Sequence, residues 1–323
     1  MKKKVFLGID TSNYMTSICF IDENRKILYE AKKLLQVKLG KRGLQQSEAV
    51  FQHIKNLPEL FKANTITKDY RLSAIAVSRS PRPVEGSYMP VFQVGVTVAE
   101  SISATFSIPI YYTTHQEGHI AAGIYSSDES PEQSHFLAVH LSGGTSEILS
   151  VKVMKNGNGY EIEQIGGTLD LHAGQFIDRI GVLLGYPFPA GKNIEQLAAT
   201  LTDDFERIPT TVKNFSFHFS GAETEAKRRL EKGVPANQIA RAIEHHIAIS
   251  IGKALKNAIE AAFPKEILMV GGVAQNQYIR KQLVKMLEKP TIGAKLFFAN
   301  PTYSGDNAFG VANIALNHYL KST

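Results

Sequence analysis

The spacing of apolar and polar residues divides the chain into short strands and amphipathic helices. Two apolar runs near the start, separated by the polar residues 10–13, predict two strands joined by a turn that a phosphate could approach. Further along, apolar residues at helical spacing alternate with short apolar runs, which indicates helices and buried strands in turn. The predicted order is strand 4–9, strand 16–21, helix 47–62, strand 72–77, helix 91–106 and strand 108–112.

The same pattern restarts in the second part of the chain. Apolar runs at 136–141 and 147–153 flank the turn 142–145, as the first two runs flank residues 10–13. Two such strand–turn–strand segments, each followed by helices and strands, are typical of a duplicated α/β fold with a nucleotide between its halves.

The length of 323 residues is too great for one ordinary hydrophobic core and fits two lobes. We expect an N-terminal lobe over 1–112 and a C-terminal lobe over 113–323. The last predicted helix, 308–319, is expected to pack back on the first lobe. Apolar residues make up 43% and charged residues 20% of the chain, ordinary values for a globular protein.

A glycine pair follows a later buried strand. The strand 266–270 ends in Gly271 and Gly272, and an amphipathic helix is predicted over 275–288. Glycine permits close backbone approach and a helix N-terminus favours anions, so this turn is a candidate phosphate or ribose cradle. An ordinary tight turn is the alternative.

Cysteine content and charge narrow the class of protein. The one cysteine, Cys19, lies in an apolar run, which favours a buried inert thiol and a reducing compartment, the cytoplasm. Neither a signal peptide nor an apolar stretch long enough to span a membrane is expected. The net charge of +6 and pI near 9.1 suit a polyanionic partner, although a plain solvated surface explains the scattered cations equally well.

Two histidines stand at i and i+4 on a predicted helix. This spacing puts His115 and His119 on one face, where both can bind one divalent metal, although the same spacing also occurs on surface helices without a metal. A zinc protease needs Glu directly after the first His. Glu117 instead lies two residues on, roughly 200° round the helix, and so points away from the metal. The sequence therefore disfavours a protease.

Asp306 lies just before the predicted helix 308–319. A residue there can cap the helix or supply a metal carboxylate, and capping is the simpler interpretation because Asp is an excellent N-cap.

Seven segments together resemble one family. GIDTS, HQEGH, LSGGT, DLHAGQFIDRIGVLLG, FSFHFSG, VGGVAQN and GDNA occur in the order found in the TsaD family, formerly called O-sialoglycoprotein endopeptidases, and they span nearly the whole chain. The resemblance implies a duplicated actin-like ATPase (ASKHA) fold. It also implies a transferase that moves threonylcarbamoyl from an adenylate to N6 of adenosine 37 in tRNA, with one divalent metal (Fe or Zn) and ATP or threonylcarbamoyl-adenylate as ligand.

The resemblance also implies site residues, carried over position by position, but assigns no catalytic side chain. The family metal ligands fall on His115, His119 and Asp306. A further metal position matches His140, which is either a fourth ligand or a histidine satisfied within its strand. The substrate contacts of the family fall on Leu141, Ser142, Gly143, Gly144, Thr145, Asp178, Gly191, Gly271, Gly272 and Asn276.

Several positions depart from the family pattern. Tyr14 and Met15 replace two acidic residues, Glu223 replaces a cation, Gln175 replaces a glutamate, and Thr145 stands where the family has His or Asn. These changes indicate a divergent member.

The alternative to an active transferase is a non-catalytic or differently specific paralog that acts as a scaffold in a tRNA-modifying complex. The expected partners are tRNA, accessory subunits including a paralogous actin-like subunit, and a second copy of the chain.

Overall fold

The computed structural model describes residues 2–12, 14–36, 44–63, 66, 69–154 and 159–322. Asn13 of the first predicted turn lies outside these residues. In chain order the elements are β1 (Lys3–Asp10), β2 (Met15–Asp22), β3 (Ile27–Leu34), α1 (Gln46–Lys62), β4 (Tyr70–Ser80), α2 (Val91–Phe106), β5 (Ile110–Thr114), α3 (His115–Ser126), β6 (His135–Leu141), β7 (Ser146–Val153), β8 (Tyr160–Thr168), α4 (Ala173–Leu183), α5 (Gly191–Ala199), β9 (Val212–Lys213), β10 (Ser216–Phe217), α6 (Ser220–Glu231), α7 (Ala236–Glu260), β11 (Glu266–Val270), α8 (Gln277–Leu287), β12 (Lys295–Phe298) and α9 (Phe309–Ser322).

Contacts between residues divide the chain into two compact units. The first comprises 1–128, 153–161 and 302–323, and the second comprises 129–152 and 162–301. This boundary differs from residue 112, the end of the first lobe expected from the sequence. Helix α3 belongs to the first unit because it packs against α9, which returns to that unit at the end of the chain.

The first unit contains a five-stranded sheet in the order β3-β2-β1-β4-β5. The strand β1 pairs with β2 in antiparallel and with β4 in parallel orientation, so β1 is central. Its apolar side chains are buried on both faces, as the continuous apolar run predicts. The strand β3 was not predicted from the sequence. It lies at the edge of the sheet and is only half-buried, and its charged residues obscure the alternation of apolar and polar positions.

Two glycines let α9 approach the rest of the first unit closely. A Cβ atom on Gly8 of β1 would lie 2.4 Å from the carbonyl oxygen of Ala308, and one on Gly310 of α9 would lie 1.9 Å from that of Gly118 in α3. Any side chain at either position would push the elements apart. These close approaches bring the segment before α9 to the start of α3.

The second unit contains most of a seven-stranded sheet in the order β12-β11-β6-β7-β8-β10-β9, covered by α4 to α8. The strands β6 and β7 form the second antiparallel pair that the sequence predicts. Strand β11 pairs with β6 in parallel, with Val270 opposite His140. This register places the turn after β11 beside the turn after β6, because parallel strands end at the same edge of a sheet.

None of the helices in the described residues is both long and apolar enough to cross a membrane.

Candidate metal centre and nucleotide site

Helix α3 starts at the first histidine of the HQEGH segment. Thr114 caps it, accepting a hydrogen bond from the backbone N–H of Glu117 at 3.2 Å. The Glu117 carboxylate accepts in return from the Thr114 backbone N–H at 2.9 Å, which completes a capping box. Glu117 is therefore engaged at the helix terminus, which agrees with the argument against a protease.

The donor atoms of His115, His119 and Asp306 converge within the first unit. The two Nε2 atoms lie 3.0 Å apart, and Oδ1 of Asp306 lies 3.4 Å from Nε2 of His115 and 3.3 Å from Nε2 of His119. The structure thus brings together the three residues that the sequence analysis assigned to a metal.

These distances fit a divalent metal. Nitrogen and oxygen ligands bound about 2.0–2.1 Å from a tetrahedral zinc ion lie about 3.3 Å from one another. All three donor atoms lie within 4.8 Å of one another, and His119 is buried. A set of two imidazoles and one carboxylate leaves coordination positions for a substrate, as in catalytic rather than structural metal sites.

The charges in this cluster stabilise one another. Burial lowers the pKa of His115, but the carboxylates of Asp10 and Asp306 outweigh it and raise that pKa to about 10. Burial and the charge of His115 lower the pKa of His119. Burial raises the pKa of Asp306, but its hydrogen bonds with the two histidines prevail and hold that pKa well below its usual range. The two carboxylates therefore favour one positive charge, on His115, and this charge disfavours a second one on His119.

The segment before α9 shows that capping does not explain Asp306. The side-chain cap of α9 is Asn307, whose Oδ1 accepts from the backbone N–H of Phe309 at 2.9 Å. Its Nδ2 donates to the carbonyl oxygens of Tyr303 and Gly305 at 2.8 and 2.7 Å. The interpretation of Asp306 as an N-cap was wrong, because the next residue performs that role and the Asp306 carboxylate faces the histidines.

Asp10, which was not predicted from the sequence as a site residue, lies beside the candidate metal centre. It lies at the end of β1, is 1% exposed, and places Oδ2 3.0 Å from Nδ1 of His115. Burial raises its pKa, but the charge and hydrogen bond of His115 outweigh this and lower it. Only its position after a buried strand, in a polar turn, pointed to a functional role.

The turn after β6, which carries the predicted nucleotide residues 142–145, packs against the start of α4. The Ser142 carbonyl oxygen accepts from the backbone N–H of Gly174 at 3.2 Å, and the hydroxyl of Ser146 accepts from that of Ala173 at 2.9 Å. A Cβ on Gly174 would lie 2.6 Å from the Cα of Gly143. The start of α4 is therefore held directly against this turn.

The predicted glycines have two different roles. Gly271 has φ +95°, and a Cβ there would lie 2.2 Å from the Leu141 carbonyl oxygen, so this glycine is required for packing. In contrast, a Cβ on four other glycines of the set would meet nothing within 4 Å, which leaves room for a ligand to approach the backbone. These are Gly143, Gly144, Gly191 and Gly272.

Asp178 lies on α4, four residues after Gly174. Its Oδ1 accepts from the backbone N–H of Ala190 at 2.7 Å, which fixes the segment that leads into Gly191. The side chain is half-buried, and burial raises its pKa while the bond from Ala190 opposes this. Asp178 therefore already accepts one internal hydrogen bond and still has capacity for ribose hydroxyls.

Asn276 has an internal role that limits its use by a ligand. Its Oδ1 accepts from the backbone N–H of Ile279 at 2.9 Å, which caps α8, and its Nδ2 donates to the buried carboxylate of Glu244 at 2.6 Å. The carboxylate of Glu195 accepts from the Gln277 backbone N–H at 2.7 Å. Because a carboxylate already occupies this helix terminus, the turn suits a ribose or base better than a phosphate.

His140 lies on β6 in the second unit, is 6% exposed, and has its Cδ2 atom 3.0 Å from the position of a Cβ on Gly271. Its assignment as a further metal ligand stays a prediction.

Two departures from the family pattern have local explanations. The side chain of Glu223 is 7% exposed and forms ion pairs with Arg179 and Lys227, so its charge is compensated rather than presented to a partner. Gln175 completes a capping box with His172 at the start of α4, a role that glutamine and glutamate share. Nothing in the structure explains Tyr14, which is 40% exposed.

Solved structures with the same fold are similar over the whole chain. HypF of T. kodakarensis is 14% identical with a TM-score of 0.59, over 99% of this chain and 48% of that one. The 2-hydroxyisocaproyl-CoA dehydratase activator of Clostridium difficile, with bound ADPNP, is 13% identical with a TM-score of 0.55, over 98% and 96% of the two chains. These similarities show the fold alone, and they confirm the expected actin-like ATPase fold.

The sequence itself matches one protein family over most of its length. The family, TsaD, is described as tRNA N6-adenosine threonylcarbamoyltransferase, and its model matches residues 35–313. The matched residues include His115, His119, Asp306 and all the predicted nucleotide residues. The resemblance stated from seven segments is thereby confirmed, and the chain belongs to the TsaD family.

Proposed function

We propose that this protein transfers a threonylcarbamoyl group from threonylcarbamoyl-adenylate to N6 of adenosine 37 in tRNA. The observation that carries the proposal is the convergence of His115, His119 and Asp306 to within 4.8 Å in a chain of this family. Two imidazoles and a carboxylate that converge in this way form a set of metal ligands, which a scaffold with no metal-dependent reaction does not need.

The chain's own residues account for binding and orientation. The open backbone at Gly143, Gly144 and Gly272 receives the adenylate, and Asp178 accepts hydrogen bonds from its ribose hydroxyls. Attack of an amine on a mixed anhydride requires mainly orientation and charge stabilisation. This explains why the reaction needs neither a nucleophilic serine nor a reactive cysteine.

One divalent cation would be held by His115, His119 and Asp306, where it supplies Lewis acidity for a phosphate or carbonyl oxygen. Two imidazoles with one carboxylate are a donor set that suits iron or zinc better than magnesium or calcium.

The macromolecular partners belong to the same proposal. We expect tRNA as the acceptor and accessory subunits that supply the adenylate, including a paralogous actin-like subunit, with a homodimer as the simpler assembly. The net charge of +6 favours a polyanionic acceptor.

The proposal is tested by asking whether this gene restores threonylcarbamoyladenosine in cells depleted of their own transferase. The matched control is the Asp306→Ala variant, which removes a predicted metal ligand while leaving the Asn307 cap intact. Restoration by the wild-type gene and not by the variant is expected. Full restoration by both genes would contradict a metal-dependent transfer.

A second candidate is a scaffold that binds metal and nucleotide without turnover, and the replacement of two family carboxylates by Tyr14 and Met15 favours it. The two candidates differ in one assay. Both a scaffold and a transferase bind Zn²⁺ and an adenine nucleotide. With tRNA and synthetic threonylcarbamoyl-adenylate, a transferase forms modified tRNA, whereas a scaffold forms no product.

A further inference from the structure

The carboxylate of Asp10 has both oxygens engaged. Its Oδ1 accepts from the backbone N–H of Ser12 and its Oδ2 from the Ser78 hydroxyl, each at 2.8 Å. The same Oδ2 lies 3.0 Å from Nδ1 of His115. The first two contacts come from the turn after β1 and from the strand β4, so they hold the Asp10 carboxylate independently of α3.

This contact fixes which nitrogen of the His115 ring keeps its proton when a metal replaces the proton on the other nitrogen. A carboxylate is only an acceptor, so Nδ1 must carry the proton. A neutral imidazole protonated on Nδ1 has its lone pair on Nε2, the atom that lies 3.0 Å from Nε2 of His119 and 3.4 Å from Oδ1 of Asp306. A metal ligand needs that lone pair.

We propose that Asp10 is a positioning residue of the metal centre, which holds the His115 ring in the orientation and tautomer that present Nε2 to a divalent cation. This inference rests on the metal site of the proposed function. Outer carboxylates that accept from a metal-binding histidine orient the ring and raise its basicity, and their removal costs about 10- to 100-fold in metal affinity.

The opposing explanation is that Asp10 only stabilises the turn after β1. Asp10→Asn separates the two explanations because it conserves volume. The amide can donate to Nδ1, which favours the tautomer with the proton on Nε2 and so blocks coordination. A purely structural role would change the unfolding midpoint of the metal-free protein, whereas a positioning role changes the affinity for metal.

The experiment is a Zn²⁺ titration in competition with a chromophoric chelator, on wild type, Asp10→Asn and His119→Ala, with thermal melts of the metal-free proteins. We expect Asp10→Asn to weaken Zn²⁺ binding about 10- to 100-fold and His119→Ala to weaken it more. Wild-type affinity in Asp10→Asn would overturn this inference and leave the proposed metal site standing. Absence of Zn²⁺ binding by the wild type would overturn both.

A second measurement does not use Asp10→Asn and so holds even where that variant fails to fold. In the Zn²⁺-loaded protein, long-range ¹H–¹⁵N correlation of the histidine rings, assigned with a His115→Gln sample, should show His115 protonated on Nδ1 and coordinated through Nε2. Coordination of His115 through Nδ1 would overturn the inference.

Discussion

Nε2 of His115 lies 3.4 Å from Oδ1 of Asp306, although the two residues come from the start of α3 and from the segment before α9. The contact exists because α9 returns to the first unit and crosses α3 closely at Gly310. The geometry of the metal centre therefore depends on packing between two helices as well as on the ligands themselves.

Removal of a single ligand should abolish tight metal binding. In His119→Ala or Asp306→Ala, two donors remain, and we expect Zn²⁺ affinity to fall by more than about 100-fold, beyond the effect of outer-shell substitutions. Metal content after dialysis measures this directly. His318→Ala removes a half-buried histidine of the same unit that packs against Tyr111, and it should keep the wild-type metal content.

Gly310→Ala should weaken both folding and metal binding. The added Cβ would lie 1.9 Å from the Gly118 carbonyl oxygen, so α3 and α9 must separate, at about 1–3 kcal/mol. The separation also moves Asp306 away from the histidines. Gly305→Ala is the matched control, because a Cβ there meets nothing within 4 Å. Equal urea midpoints and Zn²⁺ affinities for the two variants would contradict this account.

Adenine nucleotides should raise the melting temperature by mass action on the folded state. We expect Asp178→Ala to reduce this shift, because the variant loses both the ribose acceptor and the bond that fixes the Ala190 backbone. Asp203→Ala, an exposed substitution in the same unit, serves as the comparison. If no adenine nucleotide raises the melting temperature of any of these proteins, the prediction of a nucleotide site is wrong.

Glu244 should make the stability of the protein depend on pH. It is fully buried on α7, and burial raises its pKa from 4.5 to about 7, with the bond from Asn276 opposing this. The folded state then holds this proton more tightly than the unfolded state. Stability is therefore greatest below the unfolded pKa and is lost as the pH rises towards about 7, by at most about 1.4 kcal/mol per pH unit.

Urea unfolding of wild type and Glu244→Gln between pH 4.5 and 8 measures this dependence. Glutamine does not titrate, so the free energy of unfolding of the variant should decline less with pH over this window than that of the wild type. Glu260→Gln, on the exposed face of the same helix, should follow the wild type. Parallel curves for wild type and Glu244→Gln would show that Glu244 does not titrate there.

Glu223→Lys, which restores the charge of the family, should destabilise the protein. A lysine at this mostly buried position faces Arg179 and Lys227 without a partner, at about 1–3 kcal/mol. Adding Arg179→Glu should recover part of the loss, because it restores one ion pair. A single variant as stable as the wild type would show that the ion pairs do not matter.

The sequence by itself determined the elements whose signal is local. The continuous apolar run of β1, the apolar stretch of α2 and the strand before Gly271 were predicted with bounds close to those observed. Spacing alone also placed His115 and His119 on one helix face. The spacing of apolar residues indicates which side of an element faces the core, and it can be read from residues that are close together in the sequence.

Tertiary structure alone decided the partners of the polar side chains. The contact of Asp10 with His115, the capping of α9 by Asn307 and the compensation of Glu223 by Arg179 each join residues whose sequence context is compatible with several roles. An Asp before a helix can cap it or face another group, and only the crossing of α3 and α9 directs Asp306 towards the two histidines. Hydrogen bonds and ion pairs act over a few ångströms, so their choice of partner depends on packing between distant segments, which no local pattern encodes.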